Sequence, residues 1–149
     1  MVVIRDFQER DRQTYYQMSL DFYDGDATLC TMDKEKLKAT FDLALLGSPL
    51  MRGVTLEETE TGRMVGYGLL AFYWSNEAGG LTVQLEEVYI DPSCRGQRLG
   101  SQFMEWMLTT YPQAKRFRLE VCPQNLRVKK LYESFGFREL EYIQMVYPG

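Results

Sequence analysis

A chain of 149 residues with 45% hydrophobic content is long and apolar enough to bury one core, and a formal net charge of −4 argues against a partner held through phosphate backbones, which need clustered Lys and Arg. Histidine is absent, so Ser-His-Asp and Cys-His catalysis and every His-ligated metal site are excluded, and acid–base work falls to Asp, Glu, Tyr, Cys, Lys or water. Cys30, Cys94 and Cys122 show no CxxC spacing, and no stretch approaches the ~18 uninterrupted apolar residues of a membrane span, so the expectation is a soluble cytoplasmic protein without metal, nucleic-acid or membrane partners.

In chain order, Val2 to Arg5 reads as a short strand, and Glu9 to Tyr23 as a helix with Tyr15, Met18 and Phe22 at helical spacing. A second helix has Thr31 or Asp33 as N-cap, Leu37, Phe41 and Leu45 on one face, and Gly47 then Pro49 as its stop. Between Arg52 and Ile90 the pattern becomes strand-like, divided by Thr61-Gly62 and by residues 75–80, which predicts an antiparallel meander. A loop from Asp91 to Gly96 leads into a helix over Gln97–Tyr111 carrying Leu99, Phe103, Trp106 and Met107. A strand Phe117 to Val121, a helix from about Asn125 to Phe135, and a last strand from Phe137 towards Tyr147 complete the chain. The order β-α-α-β-β-β-α-β-α-β predicts one α/β domain over residues 1–149 with a mixed sheet, the strand-helix-strand unit around Leu99 favouring a parallel pair.

The segment from Val88 to Ser101 runs from an apolar strand through a glycine-containing turn into an amphipathic helix. Such a junction suits an anion: first-turn N–H groups point outward, the helix dipole is positive there, and glycines let a phosphate approach the backbone. Arg95 and Arg98 add charge-assisted donors. Read one by one, Gly96 is equally a turn residue, Gly100 a packing contact and the arginines a solvated face. Neither a Walker loop nor a Gly-x-Gly-x-x-Gly dinucleotide fingerprint is present.

Arg95-Gly96-Gln97-Arg98-Leu99-Gly100, after Val88-Tyr89-Ile90-Asp91-Pro92, resembles the Gln/Arg-x-x-Gly-x-Gly/Ala signature of the GNAT superfamily of N-acetyltransferases, with Arg98 where the family usually has its middle glycine. Asn125 to Phe137 resembles the second hallmark, Asn-x-x-Ala-x-x-Leu-Tyr-x-x-x-Gly-Phe, with Val128 in place of the alanine. Two motifs in the right order on the expected elements outweigh the reading of Leu131 and Phe135 as a plain core pair and Gly136 as a C-cap. The resemblance implies the GNAT fold with a splayed central mixed sheet, and acetyl-CoA as co-substrate. It implies contacts to CoA from Val88, Ile90, Arg95, Gly96, Gln97, Arg98, Leu99, Gly100, Ser101 and Asn125. Val88 and Ile90 would pair with the pantetheine arm through their main chain, and the Asn125 side chain would bind that arm or anchor the splayed strand.

Acetyl transfer to an amine needs a base for an ammonium of pKa ~10.4 and an acid for a departing thiolate. The resemblance gives Glu86 the first role, through water, and Tyr132 the second. Glu87 would help bind the amine. Neighbouring strand residues face opposite sides, so Glu86 and Glu87 share one centre only if a bulge intervenes.

Leu85 to Ile90 resembles the Leu-Glu-Asp-aromatic-aromatic-Val run of spermidine/spermine N-acetyltransferases, and Ala71 to Ser75 the aromatic strand before it. The implied substrate is a small polyamine-like cation held by Glu87 and some of Asp21, Asp24 and Asp26. A homodimer is compatible with this reading. The alternatives are a protein or peptide N-acetyltransferase and a non-catalytic CoA-binding module of the same fold.

Overall fold

The computed structural model describes residues 1–24 and 32–149. Thr31, Asp26 and Cys30 lie outside the described residues. The elements are β1 (Val2–Asp6), a short 3₁₀ turn (Glu9–Asp11), α1 (Arg12–Asp24), α2 (Lys34–Leu45), β2 (Met51–Glu58), β3 (Met64–Ser75), β4 (Gly80–Ile90), α3 (Leu99–Thr110), β5 (Arg116–Leu119) and α4 (Leu126–Ser134). The first expected helix thus begins as a 3₁₀ turn, and α2 starts at Asp33, whose carboxylate accepts the Lys36 N–H at 3.0 Å.

The five strands lie in sequence order, antiparallel throughout except for the parallel pair β4–β5. Apolar side chains cover both faces. Leu70, Val83, Leu85, Phe103, Met104 and Met107 form the core beneath α3 and α4. Tyr15, Leu37, Phe41, Tyr67, Leu69 and Tyr89 form the core beneath α1 and α2, where Phe7 stacks on Phe41 at 4.7 Å between ring centroids. Each such side chain contributes about 1.5–3 kcal/mol through burial, so the sheet is clamped from both sides.

One irregularity in β4 shapes everything that follows. Leu70 pairs with Leu85 and Leu69 with Glu87, which leaves Glu86 as the extra residue of a β-bulge. Before it, Val83 and Leu85 face the α3/α4 core; after it, Val88 and Ile90 do, while Tyr89 turns to the α1/α2 core. β5 pairs with β4 only from Thr82 to Leu85, so from Glu86 onward the β4 edge carries no strand.

The expected last strand is not formed: residues 137–149 have no regular structure, and β5 ends at Leu119 rather than Val121. A strand needs a partner edge, and residues 138–149 are exposed along their whole length within one copy of the chain.

Candidate active site

The parting of β4 from β5 opens a cleft of ≈ 900 Å³, walled by both strands, the loop into α3, and α4, with Asp21 and Phe22 of α1 at one side. Glu86, Glu87, Val88, Ile90, Arg95, Gly96, Arg98, Leu99, Gly100, Ser101, Asn125, Tyr132 and Asp21 all line it. Gln97 and Asp24 do not; both are exposed, Asp24 being the last residue of α1. The aromatic run 71–75 is also elsewhere, its Phe72, Tyr73 and Trp74 pairing with Val83, Thr82 and Leu81 at the far end of the sheet. Phe22 and Tyr89 supply the aromatic surface of the cleft instead.

The anion end is built by backbone geometry. Asp91 accepts the Ser93 N–H at 2.9 Å and starts a 3₁₀ turn over Pro92–Cys94. Arg95 then donates from Nε to the Ile90 carbonyl at 3.2 Å and stands over the Tyr89 ring at 5.7 Å. Gly96 has φ +88°, with nothing within 4 Å of where a Cβ would stand, so the chain turns there and leaves open space. Arg98, at φ 62° and ψ 27°, is left-handed too, and among the described residues no other non-glycine has positive φ. It occupies the N-cap of α3 without a side-chain cap, leaving the first-turn N–H groups to an outside acceptor. Gly100 is a packing glycine as well: a Cβ there would stand 3.3 Å from Leu131 Cδ2 on α4. Arg127, in the first turn of α4, brings a third guanidinium that reading the sequence did not single out.

The open edge of β4 is directional. The Asp91 N–H donates to the Val65 carbonyl of β3 at 2.8 Å. Alternate residues of a strand aim their backbone groups to the same side, so Tyr89 and Glu87 also bond towards β3, while Val88 and Ile90 turn theirs to the cleft. Arg95 occupies the Ile90 carbonyl; Val88 keeps both groups towards the opening.

Because of the bulge, both adjacent carboxylates reach the cleft. Glu86 is exposed at the opening, yet desolvation by the walls, with Glu120 across the splay adding to it, raises its pKa above the usual carboxylate range. Glu87 is held by the hydroxyls of Tyr67, at 2.7 Å, and Tyr23. Burial raises its pKa despite those two bonds. Glu120 could not be picked out from the sequence because it follows directly on a short strand, β5, whose divergence from β4 no local pattern encodes.

Tyr132 is buried on α4, and burial alone pushes its phenol up to about 12. No described residue accepts its hydroxyl proton. It is therefore protonated across the neutral range and has a proton to give. Asn125 stands at the N-cap of α4 but makes no side-chain cap bond, so its amide is left for the cleft it lines.

The splayed mixed sheet is a known fold: a possible acetyltransferase from Clostridium difficile 630 superposes with a TM-score of 0.83 at 18% identity, covering 100% of this chain and 98% of that one. The structure of AAC(6')-Iy in complex with the bisubstrate analog CoA-S-monomethyl-acetylneamine superposes with a TM-score of 0.78 at 15% identity, covering 100% and 99%. The sequence model of the acetyltransferase (GNAT) family matches residues 9–137, and the chain belongs to that family. Thialysine N-epsilon-acetyltransferase of Sus scrofa is 34% identical over 85 residues, which is 56% of this chain and 49% of the relative. The chain spans about half the length of the curated relatives it matches. Among the described residues no helix is long and apolar enough to cross a membrane, and no group of three or more His, Cys, Asp or Glu is placed to hold a metal ion.

Proposed function

We propose that this protein transfers an acetyl group from acetyl-CoA directly to the primary amine of a small, polyamine-like cation in the cytoplasm. The observation that carries the reading is the bulge at Glu86, since it exposes the Val88 backbone and brings Glu86 into the cleft that Tyr132 also lines.

The residues present fit acetyl-CoA, which when bound supplies an acyl group activated as a thioester. The capless start of α3, the open turn at Gly96, and Arg95, Arg98 and Arg127 suit its phosphates. The cleft-facing N–H and C=O of Val88 suit the amides of an extended arm, and that N–H polarises the acyl carbonyl. Asn125 adds a side-chain amide.

Glu86 takes the proton of the incoming ammonium through water. Its raised pKa brings it closer to the working pH, where a general base is more effective. Tyr132 holds a proton on its phenol oxygen for the departing sulfur. The cation is met by Asp21, Glu86, Glu87 and Glu120, with Phe22 and Tyr89 offering aromatic faces. The name of the Sus scrofa relative, which specifies an N-epsilon amine, supports an amine at the end of an alkyl chain.

The test is thiol release from acetyl-CoA across spermidine, short diamines, lysine, thialysine and a peptide N-terminus, with Glu87→Gln alongside. Preference for a cationic small amine, with KM raised in Glu87→Gln, is expected. Preference for a neutral or anionic amine, or for the peptide, overturns the acceptor assignment.

A further inference from the structure

Glu87 is a half-buried carboxylate that, among the described residues, forms no ion pair with Lys or Arg. Burial, Tyr23, Tyr67 and the neighbouring carboxylate of Glu86 act on its charge. Two acids on the β1–β2 side of the sheet are treated differently, since Asp11 and Glu57 both pair with Arg5, at 2.8 and 2.6 Å. A charge drawn out of water without a counter-ion is costly, so its partners at Glu87 call for a reason.

Those partners are two phenols. Across the β3–β4 ladder Tyr67 pairs with Tyr89 and Leu69 with Glu87, so Tyr67 is the diagonal neighbour of Glu87, within reach of a long aromatic side chain. Its ring is fully buried, edge-on to Tyr15 at 5.0 Å and stacked on Tyr89 at 6.0 Å between centroids. From that fixed position its hydroxyl donates to Glu87 Oε1 at 2.7 Å. Tyr23, in the last turn of α1, donates to Oε2. Burial first, and then the Glu87 charge, raise both phenols above their ordinary range, so each keeps its proton and serves as a donor.

A phenol and an arginine are not equivalent in this place. Either stabilises the anion, but a guanidinium would also cancel its charge, whereas the phenols leave the charge intact. Two donors occupy two of the roughly four lone-pair positions of a carboxylate. Glu87 itself lines the cleft, while Tyr23 and Tyr67 stand outside the lining and reach it only through Glu87.

We propose that Tyr67 and Tyr23 are positioning residues for acceptor selectivity: by holding Glu87 as an uncompensated anion at the cleft wall, they make the enzyme prefer an acceptor carrying a second ammonium over the same chain ending in a neutral group. This rests on the reading of Glu87 as a substrate-binding carboxylate. With Glu86 taking the proton of the reacting ammonium, Glu87 meets the charge that the reaction leaves in place. Selectivity is then a difference of two affinities, since the cation gains an ion pair at Glu87 and the neutral end leaves that carboxylate unmatched.

The titratable groups facing Glu87 are Tyr15 and Tyr23 from α1, Tyr67 from β3 and Glu86 from its own strand, while Asp21 of α1 and Arg95 face the adjacent Tyr89. Burial and Glu86 raise the pKa of Glu87 and the two hydroxyl bonds lower it, so losing either hydroxyl moves that pKa further up.

The test compares putrescine with 4-aminobutanol, which offer the same reacting amine on a chain of the same length. The proteins are the parent, Tyr67→Phe, Tyr23→Phe, Glu87→Gln and the double variant Tyr67→Phe, Glu87→Gln. In each Phe variant the preference for putrescine in kcat/KM is expected to fall roughly tenfold, through KM, with kcat on both acceptors within about twofold of the parent. The ratio of the two acceptors cancels the titration of Glu86, so its decline as pH falls follows Glu87; both Phe variants are expected to show that decline at higher pH. In the Glu87→Gln background Tyr67→Phe is expected to cost no further preference. An unchanged preference in both Phe variants, equal losses on the two acceptors, an unshifted decline, or a full further loss in the double variant each overturn the proposal while leaving Glu87 as the partner of the cation. A preference that survives Glu87→Gln overturns the substrate-binding reading of Glu87 and the proposal with it. Should Tyr67→Phe fail to fold, Tyr23→Phe, alone and combined with Glu87→Gln, decides by the same measurements.

Discussion

Replacing Arg98 with glycine separates a backbone cost from a binding gain. A non-glycine residue held left-handed costs about 1–2 kcal/mol, and Arg98 is held there at φ 62°. Glycine removes that strain but loses about 0.5–1 kcal/mol more chain entropy on folding, so the variant should be between unchanged and about 1.5 kcal/mol more stable. For a domain of this size that is a rise in Tm of no more than ~6 °C. The same change removes a guanidinium from the cleft beside the start of α3. A charge-assisted hydrogen bond contributes about 1.5–3 kcal/mol, and because Arg98 is exposed the lower end applies, about a tenfold weaker acetyl-CoA affinity. Calorimetric titration with acetyl-CoA and with CoA lacking its 3′-phosphate, beside ligand-free melting curves, reads both quantities. An unchanged Kd with a raised Tm would reduce Arg98 to a strained turn residue; a fall in Tm would refute the strain argument.

Three further outcomes are expected. Tyr132→Phe should lower kcat roughly 10–10⁴-fold with Tm nearly unchanged, since no described residue bonds the hydroxyl and the ring remains; an intact kcat makes Tyr132 a packing residue only. Glu86→Gln should lower kcat/KM by about 10²-fold or more. Its stability follows from sign: the folded pKa lies above the unfolded one, so the parent loses stability as pH rises from the ordinary carboxylate range through the raised value. Tm of Glu86→Gln should therefore gain on the parent above that window and match it below, and the opposite trend across a pH series refutes the burial argument. Gly66→Ala would place a Cβ 2.4 Å from the Tyr89 carbonyl oxygen, a backbone atom that moves only if β3 and β4 separate. A loss of about 2–3 kcal/mol is expected, seen as a Tm lower by roughly 5–10 °C; a shift within 2 °C shows that the strands yield.

The elements were legible wherever the chain carries its own signals. Leu37, Phe41 and Leu45 with the Asp33 cap fixed α2, and the Thr61-Gly62 turn divided β2 from β3. The strand-turn-helix junction at the start of α3 was legible for the same reason, because its elements follow one another within a few residues. The segment after Phe137 has an apolar pattern fit for a strand, yet a strand is a relation between two chains of backbone, and within one copy none is formed.

The sequence by itself determined the order of elements up to α4, the absence of histidine chemistry and the turn of Arg95 and Gly96 before a helix, which follow from residue type and local spacing, while Glu86 and Tyr132 became candidates through the resemblance of the motifs around them. Only the tertiary structure decided that the bulge turns Glu86 and Glu87 into one cleft, that Tyr23 and Tyr67 hold Glu87, that Gly100 seats against Leu131, and that Glu120 and Arg127 complete the lining while Gln97 and Asp24 stand outside it. Each of these depends on where β5 stops pairing with β4, and that point is set by α3 and α4 packing against one face of the sheet while α1 and α2 hold the other, a balance among residues far apart in the chain.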